Sequence, residues 1–285
     1  MKVLLGTLVL VLVAGCSSTG SKVDHAAASS PAPSQSAKVT AKVRWERARA
    51  ALERSATGHF RSEVTPEGKD VALNTQSGSF DLRTGSTELQ SDVLTNDGTQ
   101  TMTARVTAEG DGYLRMASWT GSWSGCWLPM DPSTLGAVGA GSDARAIVPV
   151  LHAVLSSEVT ATAEAGRADE IDARVDAYLF LRALGLSGAA VESLAQPIKT
   201  LKVHVTLRVW EEPVVIEADF RGRDLSEAVA RSGVPMSPSD RRLLGQRHAH
   251  VTIDNVGQPV AVQAPDPGLL LPVQAAKNDS CPANR

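Results

Sequence analysis

In Leu201-Lys202-Val203-His204-Val205-Thr206-Leu207-Arg208-Val209-Trp210, apolar and polar residues alternate strictly from Leu201 to Val209. Side chains of a β-strand point to opposite faces in turn, so Val203, Val205, Leu207 and Val209 share one face, and Lys202, His204, Thr206 and Arg208 the other. After Glu211-Glu212-Pro213 the pattern repeats with Val214, Ile216, Ala218 and Phe220 on the apolar side. Two long alternating runs joined by a short turn predict antiparallel strands with one face in a core and the other in water.

The same period runs through the N-terminal half, in His59–Val64, Ser77–Leu82, Thr87–Leu94, Gln100–Thr107 and Tyr113–Ser118. Between these runs stand Pro66-Glu67-Gly68, Thr84-Gly85, Asn96-Asp97-Gly98 and Glu109-Gly110-Asp111-Gly112, which is hairpin chemistry. Further strands are predicted at Glu170–Leu181, Arg247–Asp254 and Gln258–Gln263. Helical spacing is read over Val43 to Ala56, with Val43, Ala48, Ala51 and Leu52 on one face and Gly58 as the stop. It recurs over Asp143–Ser156, where Pro149 calls for a first-turn position or a kink, and at Ser187–Ala195, Asp224–Arg231 and Asp240–Leu244. Runs of strands with helices grouped between them predict an α+β fold: one curved antiparallel sheet of about eleven strands, a half-barrel, with helices on its concave side.

The chain opens with Lys2, an apolar run from Val3 to Val13, and Val13-Ala14-Gly15-Cys16. A bilayer-spanning helix needs about 20 apolar residues, so the run reads as a secretion signal. Small residues before Cys16 fit the lipobox of a bacterial lipoprotein, in which Cys16 becomes an acylated N-terminus; an ordinary signal peptide cut nearby is the alternative. Residues 1–15 are then the signal, and 16–42 a Ser/Ala/Pro-rich tether with too little apolar surface to fold alone. Its typical reach is about 25–30 Å. A single domain over 43–264 and a C-terminal tail over 265–285 complete the organisation. The partner this implies is a membrane, reached through acylated Cys16 at the extracytoplasmic face.

The formal charge of the 285-residue chain is −3, which gives no sign of a nucleic-acid partner. Of its three cysteines, Cys126 and Cys281 remain after Cys16 is assigned. Export makes a disulfide between them the favoured reading, closing a loop of about 155 residues, with two free thiols as the alternative.

These features together resemble the mycobacterial LprG/LppX lipoprotein family and, more distantly, the LolA/LolB-like carriers. The resemblance is carried by the lipobox at Cys16, the helix before the meander, Gly112-Tyr113-Leu114-Arg115-Met116 with Cys126-Trp127-Leu128 after it, and Val209-Trp210 with Val214-Val215-Ile216. Val251-Thr252-Ile253-Asp254 and Gly257-Gln258-Pro259-Val260 close it. It implies a half-barrel with helices on its concave side and, in several members, a hydrophobic cavity holding acyl chains; the Trp-rich segment and the cysteine-bearing tail depart from it. An acyl site needs curved apolar surface left unfilled by the protein's own side chains. Ile147, Leu151, Val154 and Leu155, facing Val203, Val205, Leu207, Val209, Val214, Ile216, Ala218 and Phe220, are the candidate lining; a filled core built from the same residues is the alternative. The ligand would be a lipid or lipoglycan, and no cofactor is implied.

Trp119, Trp123 and Trp127 suit a cavity mouth or a membrane interface, or else staple a loop. Gly121-Ser122-Trp123-Ser124-Gly125 has tryptophan where a nucleophile elbow needs serine. His248 and His250 share one strand face, a spacing that could begin a metal site, but the sequence offers no third ligand and surface histidines are the favoured reading, so no metal is expected. Asp169, Glu170 and Asp172 read as a solvated strand entrance. No constellation for catalysis is evident, so the expectation is a non-enzymatic protein.

Overall fold

Alternation becomes a single antiparallel sheet of eleven strands in the computed structural model, which describes residues 40–69, 71–131, 147–165, 168–186, 198–273, 275 and 279–284. The lipobox, Cys16, most of the tether and the helix expected at Ser187–Ala195 lie outside the described residues. The strands are β1 (Thr57–Pro66), β2 (Asn74–Asp81), β3 (Ser86–Thr95), β4 (Gly98–Val106), β5 (Gly112–Met116), β6 (Leu128–Met130), β7 (Glu158–Ala165), β8 (Ala168–Asp176), β9 (Lys202–Trp210), β10 (Val215–Arg221) and β11 (Arg247–Asp254). The helices described are α1 (Ala41–Ser55), α2 (Ile147–Leu155), α3 (Ala177–Ala183), α4 (Gly222–Ser232) and α5 (Pro238–Gly245).

Spatial order is β6-β5-β4-β3-β2-β1-β11-β10-β9-β8-β7. Two meanders are therefore sewn together where the first strand meets the last, Phe60 opposite Ile253 and Val64 opposite Ala249. The sheet is curved and open, with β6 and β7 at its edges. Both edges are blunted, β6 by its length of three residues and β7 by a register shift between Val159 and Ala161.

Residues Val203, Val205, Leu207, Ile216, Phe220, Ala249, Val251 and Ile253 are fully buried on the inner face. Helix α1 packs across β7, β8 and β9, and α3 across β8 and β9. Phe180 of α3 meets Phe220 of β10 edge-to-face, with centroids 5.5 Å apart. Each such large side chain removed from water contributes about 2–3 kcal/mol before ordering costs.

Several expectations are corrected. Trp45, not Val43, belongs to the buried stripe of α1 with Ala41, Ala48 and Leu52. This helix stops at Ala56, which takes the left-handed conformation and donates its N–H to the Leu52 carbonyl, so Gly58 lies in β1. Residues 170–181 are not one strand: β8 ends at Asp176, and Ala177 begins α3, because an unbroken apolar run carries no period to separate strand from helix. Gln258–Gln263 forms no strand and starts the tail instead. Strands β6 and β7 went unread, the first for its brevity and the second because Ala and Thr dominate it. Pro149 is the third residue of α2, a first-turn position where its missing N–H is tolerated.

The tail is held at its far end. Trp127 N–H bonds the Leu269 carbonyl and Leu271 N–H the Trp127 carbonyl, both at 2.8 Å. Reaching β6 from β11 takes the chain past five strands, and Arg105, on the outer face of β4, donates to the Gln263 carbonyl on the way. Cys126 and Cys281 form a disulfide with Cα atoms 5.9 Å apart.

Candidate functional site

Of the candidate lining residues, Leu151, Val154, Val203, Val205, Leu207, Val209, Ile216, Ala218 and Phe220 are each no more than 2 % exposed and belong to one packed cluster. Leu155 and Val214 are partly buried against it. The Ile147 side chain lies outside the described residues. Alternation thus placed these residues on the inner face, where α1 and α3 cover the β7–β9 part of the sheet.

A cavity of about 10 Å³ lies between the sheet and the helices further along, bounded by β1, β2, α2 and the end of α3. Phe60, Ser62 and Val64 contribute from β1, Asn74 and Gln76 from β2, Val150 from α2, and Arg182, Ala183 and Gly185 from α3 and its cap. Gly185 has φ +73, a left-handed conformation that favours glycine, and it ends α3 beside Val64 of β1. Arg247 secures the same corner by donating to the Leu184 carbonyl at 3.3 Å. Burial holds the Arg247 guanidinium pKa below its ordinary value. Polar residues on the inner face of β1 and β2 were missed by the sequence reading. The signal was present as Ser62, Asn74 and Gln76 occupying positions in phase with Phe60, Val64 and Phe80.

On the outer face a second constellation forms around Asp219, whose side chain is only 7 % exposed. His248 Nε2 and His250 Nδ1 lie 3.1 and 3.0 Å from its Oδ1, and Arg208 donates to Oδ2 at 3.0 Å. Desolvation by itself raises the Asp219 pKa, but bonds from both histidines and the charges of His250 and Arg208 outweigh it and hold the carboxyl well below the usual range. His250 is raised, chiefly by its hydrogen bond to Asp219. The two histidines, read from the sequence as surface residues without a third metal ligand, are thus committed to this ionic cluster. Among the described residues no group of three or more His, Cys, Asp or Glu is placed to hold a metal ion.

A polar groove of about 550 Å³ opens between α4 and the outer side of β7–β9. His204 stands in it with Nε2 2.9 Å from Asp172 and Nδ1 3.6 Å from Asp224. Lys202 bridges Glu158 and Asp176 at 3.0 and 3.1 Å, and both bonds raise its pKa. The acidic trio divides: Asp172 and Glu170 face outward, but Asp169 is buried 2.7 Å from Arg44 of α1. The expectation of a wholly solvated cluster is corrected, since Asp169 pairs with Val209 in the ladder and shares its inward side.

The tryptophans do not form one exposed patch. Trp127 is buried, with the guanidinium carbons of Arg105 and Arg115 each 4.7 Å from its ring centroid. Trp119 and Trp123 meet edge-to-face at 5.1 Å and pack on a satellite cluster of Cys126, Leu271 and Cys281. Their contacts staple the tail to the loop after β5. No described helix is long and apolar enough to cross a membrane. No protein-family model matches this sequence, and no curated protein matches it.

Proposed function

We propose that this chain is a lipoprotein anchored at the extracytoplasmic face of the cell membrane through acylated Cys16, and that it binds or transfers a lipid or lipoglycan between its sheet and helices without catalysing a reaction. The anchor rests on Val13-Ala14-Gly15-Cys16 and the polar segment after it. The carrier reading rests on one observation: in an open, curved sheet, the cavity enclosed by β1, β2, α2 and α3 lies on the inner face and mixes apolar walls with buried polar groups. At about 10 Å³ it accepts a single small group, so an acyl chain enters only if α2 and α3 move off β1 and β2. Ligand binding should therefore be coupled to displacement of those helices. The resemblance to LprG/LppX lipoproteins agrees with this reading.

A second reading, an envelope interaction or sensor protein with a filled core, is favoured by the complete burial of Val203, Val205, Leu207, Ile216 and Phe220. Lipid extraction separates the two. Protein purified from membranes of its host is extracted with organic solvent, and the extract and the N-terminal tryptic peptide are analysed by mass spectrometry. The carrier reading expects an acylated Cys16 peptide together with a distinct, non-covalent acyl lipid. An acylated peptide with no co-extracted lipid supports the filled core, and an unmodified Cys16 removes the anchor.

A further inference from the structure

Ser62, Gln76 and Ser91 stand directly opposite one another across β1, β2 and β3, on the buried side of the sheet. The adjacent row on one side is apolar, Phe60, Gly78, Leu89, Ala104 and Leu114. On the other side Asn74 sits between Val64 and Val93 and accepts a hydrogen bond from Ser91 Oγ at 3.1 Å. Burying polar side chains in an otherwise apolar layer is unfavourable unless they are satisfied. Ser62 is 6 % exposed and Asn74 9 %, yet among the described hydrogen bonds neither Ser62 Oγ nor Asn74 Nδ2 has a partner. Both residues line the cavity between the sheet and α2–α3, with Val150, Ala183 and Gly185 among the residues across it.

What Ser62 and Asn74 offer is mainly donors: a hydroxyl and an amide NH₂. A matching ligand atom is an acceptor oxygen, and the apolar walls from Phe60, Val64 and Val150 suit the methylenes next to it. We infer that Ser62 and Asn74 form a recognition point for the acyl carbonyl oxygen of a fatty acid or fatty ester, placed on the inner face of β1–β2. This rests on the carrier reading and deepens it, by moving the point of recognition from the fully apolar β9–β10 side to the mixed β1–β2 side.

The test uses the full chain and three probes of equal chain length: palmitate, methyl palmitate and hexadecane, measured by displacement of a fluorescent fatty acid. The wild type should bind the first two more tightly than the hydrocarbon, and the stronger of the two identifies a free carboxylate or an ester as the source of the oxygen. Loss of one hydrogen bond is worth about 3- to 10-fold in affinity, so Ser62→Ala should weaken both oxygen-bearing probes by that factor and leave hexadecane unchanged. Because Ser62 Oγ has no hydrogen-bond partner among the described residues, the same variant should melt at the wild-type temperature or above it. Equal affinity of wild type and Ser62→Ala for palmitate and methyl palmitate overturns the inference alone, as does a Ser62→Ala protein that melts several degrees lower, which would make the hydroxyl part of the fold. A wild type that binds none of the three overturns both this inference and the carrier reading.

Discussion

Replacing Cys126 and Cys281 together by alanine removes a link spanning 155 residues of sequence. In the chain-entropy relation a loop of that length restricts the unfolded chain by about 17 cal/mol/K, or about 5 kcal/mol at 25 °C. Native structure at the tail should outlast the bridge, because Trp127 still exchanges two backbone hydrogen bonds with Leu269 and Leu271, and Asn284 Nδ2 still donates to Ser124. Residual structure in the unfolded chain reduces the effect, so the expected loss is about 3–5 kcal/mol, a large share of the roughly 5–15 kcal/mol that holds a domain folded. Urea unfolding followed by far-UV circular dichroism measures it, with near-UV signals from Trp119 and Trp123 reporting locally on the satellite cluster they share with the bridge. A double variant within about 1 kcal/mol of the wild type would refute the argument that the bridge acts by constraining the unfolded chain.

Phe180→Ala should cost about 3–5 kcal/mol, since a fully buried ring leaves a hole facing Phe220; a chemical denaturation midpoint close to the wild type would show that α3 is not docked there. The Asp219 cluster predicts a stability maximum in pH. His250 is raised above 6.5, so its contribution is complete below that value and fades as pH rises through the raised pKa; Asp219 is lowered from 3.8, so its contribution is complete above that value and fades as pH falls. His248, Arg208 and Glu217 face the same cluster, and Asp219→Asn should flatten both limbs and cost about 2 kcal/mol near pH 5, less than a fully buried pair because Arg208 and His250 stay partly exposed. Unfolding free energies from pH 3 to 9 check this, and a profile unchanged by the substitution would contradict it. Arg115→Ala should cost about 1 kcal/mol and shift tryptophan emission to the red as Trp127 loses part of its cover; unchanged emission would mean that Arg115 does not shield the ring.

Strict alternation made β9, β10 and β11 legible, because a sheet with one wet face writes period two into its residues. Hairpin glycines marked the first meander in the same way. What escaped was local or shared between distant segments. Ala177–Ala183 carries helix and strand equally well as a string of apolar residues, and only its docking on Phe220 decides. Nothing in sequence joins Asp219 to His248 and His250, which meet through the β10–β11 register; nothing links Arg44 to Asp169 before α1 lies across β8. The apolar residues of the anticipated lipid site were found by period. Whether a face is filled or hollow depends on what lies over it, and periodicity does not record that. The polar row of Ser62, Gln76 and Ser91 was hidden for a related reason, since three small interruptions in separate strands become a feature only once β1, β2 and β3 pair.

Native mass spectrometry of the intact protein, released from host membranes in mild detergent, addresses the carrier function most directly. A carrier should give a chain whose mass exceeds that of its acylated polypeptide by one acyl lipid, and whose extra mass is lost on mild collisional activation. A single species at the mass of the acylated polypeptide, unchanged after incubation with palmitate or with lipid extracted from the same membranes, would contradict it.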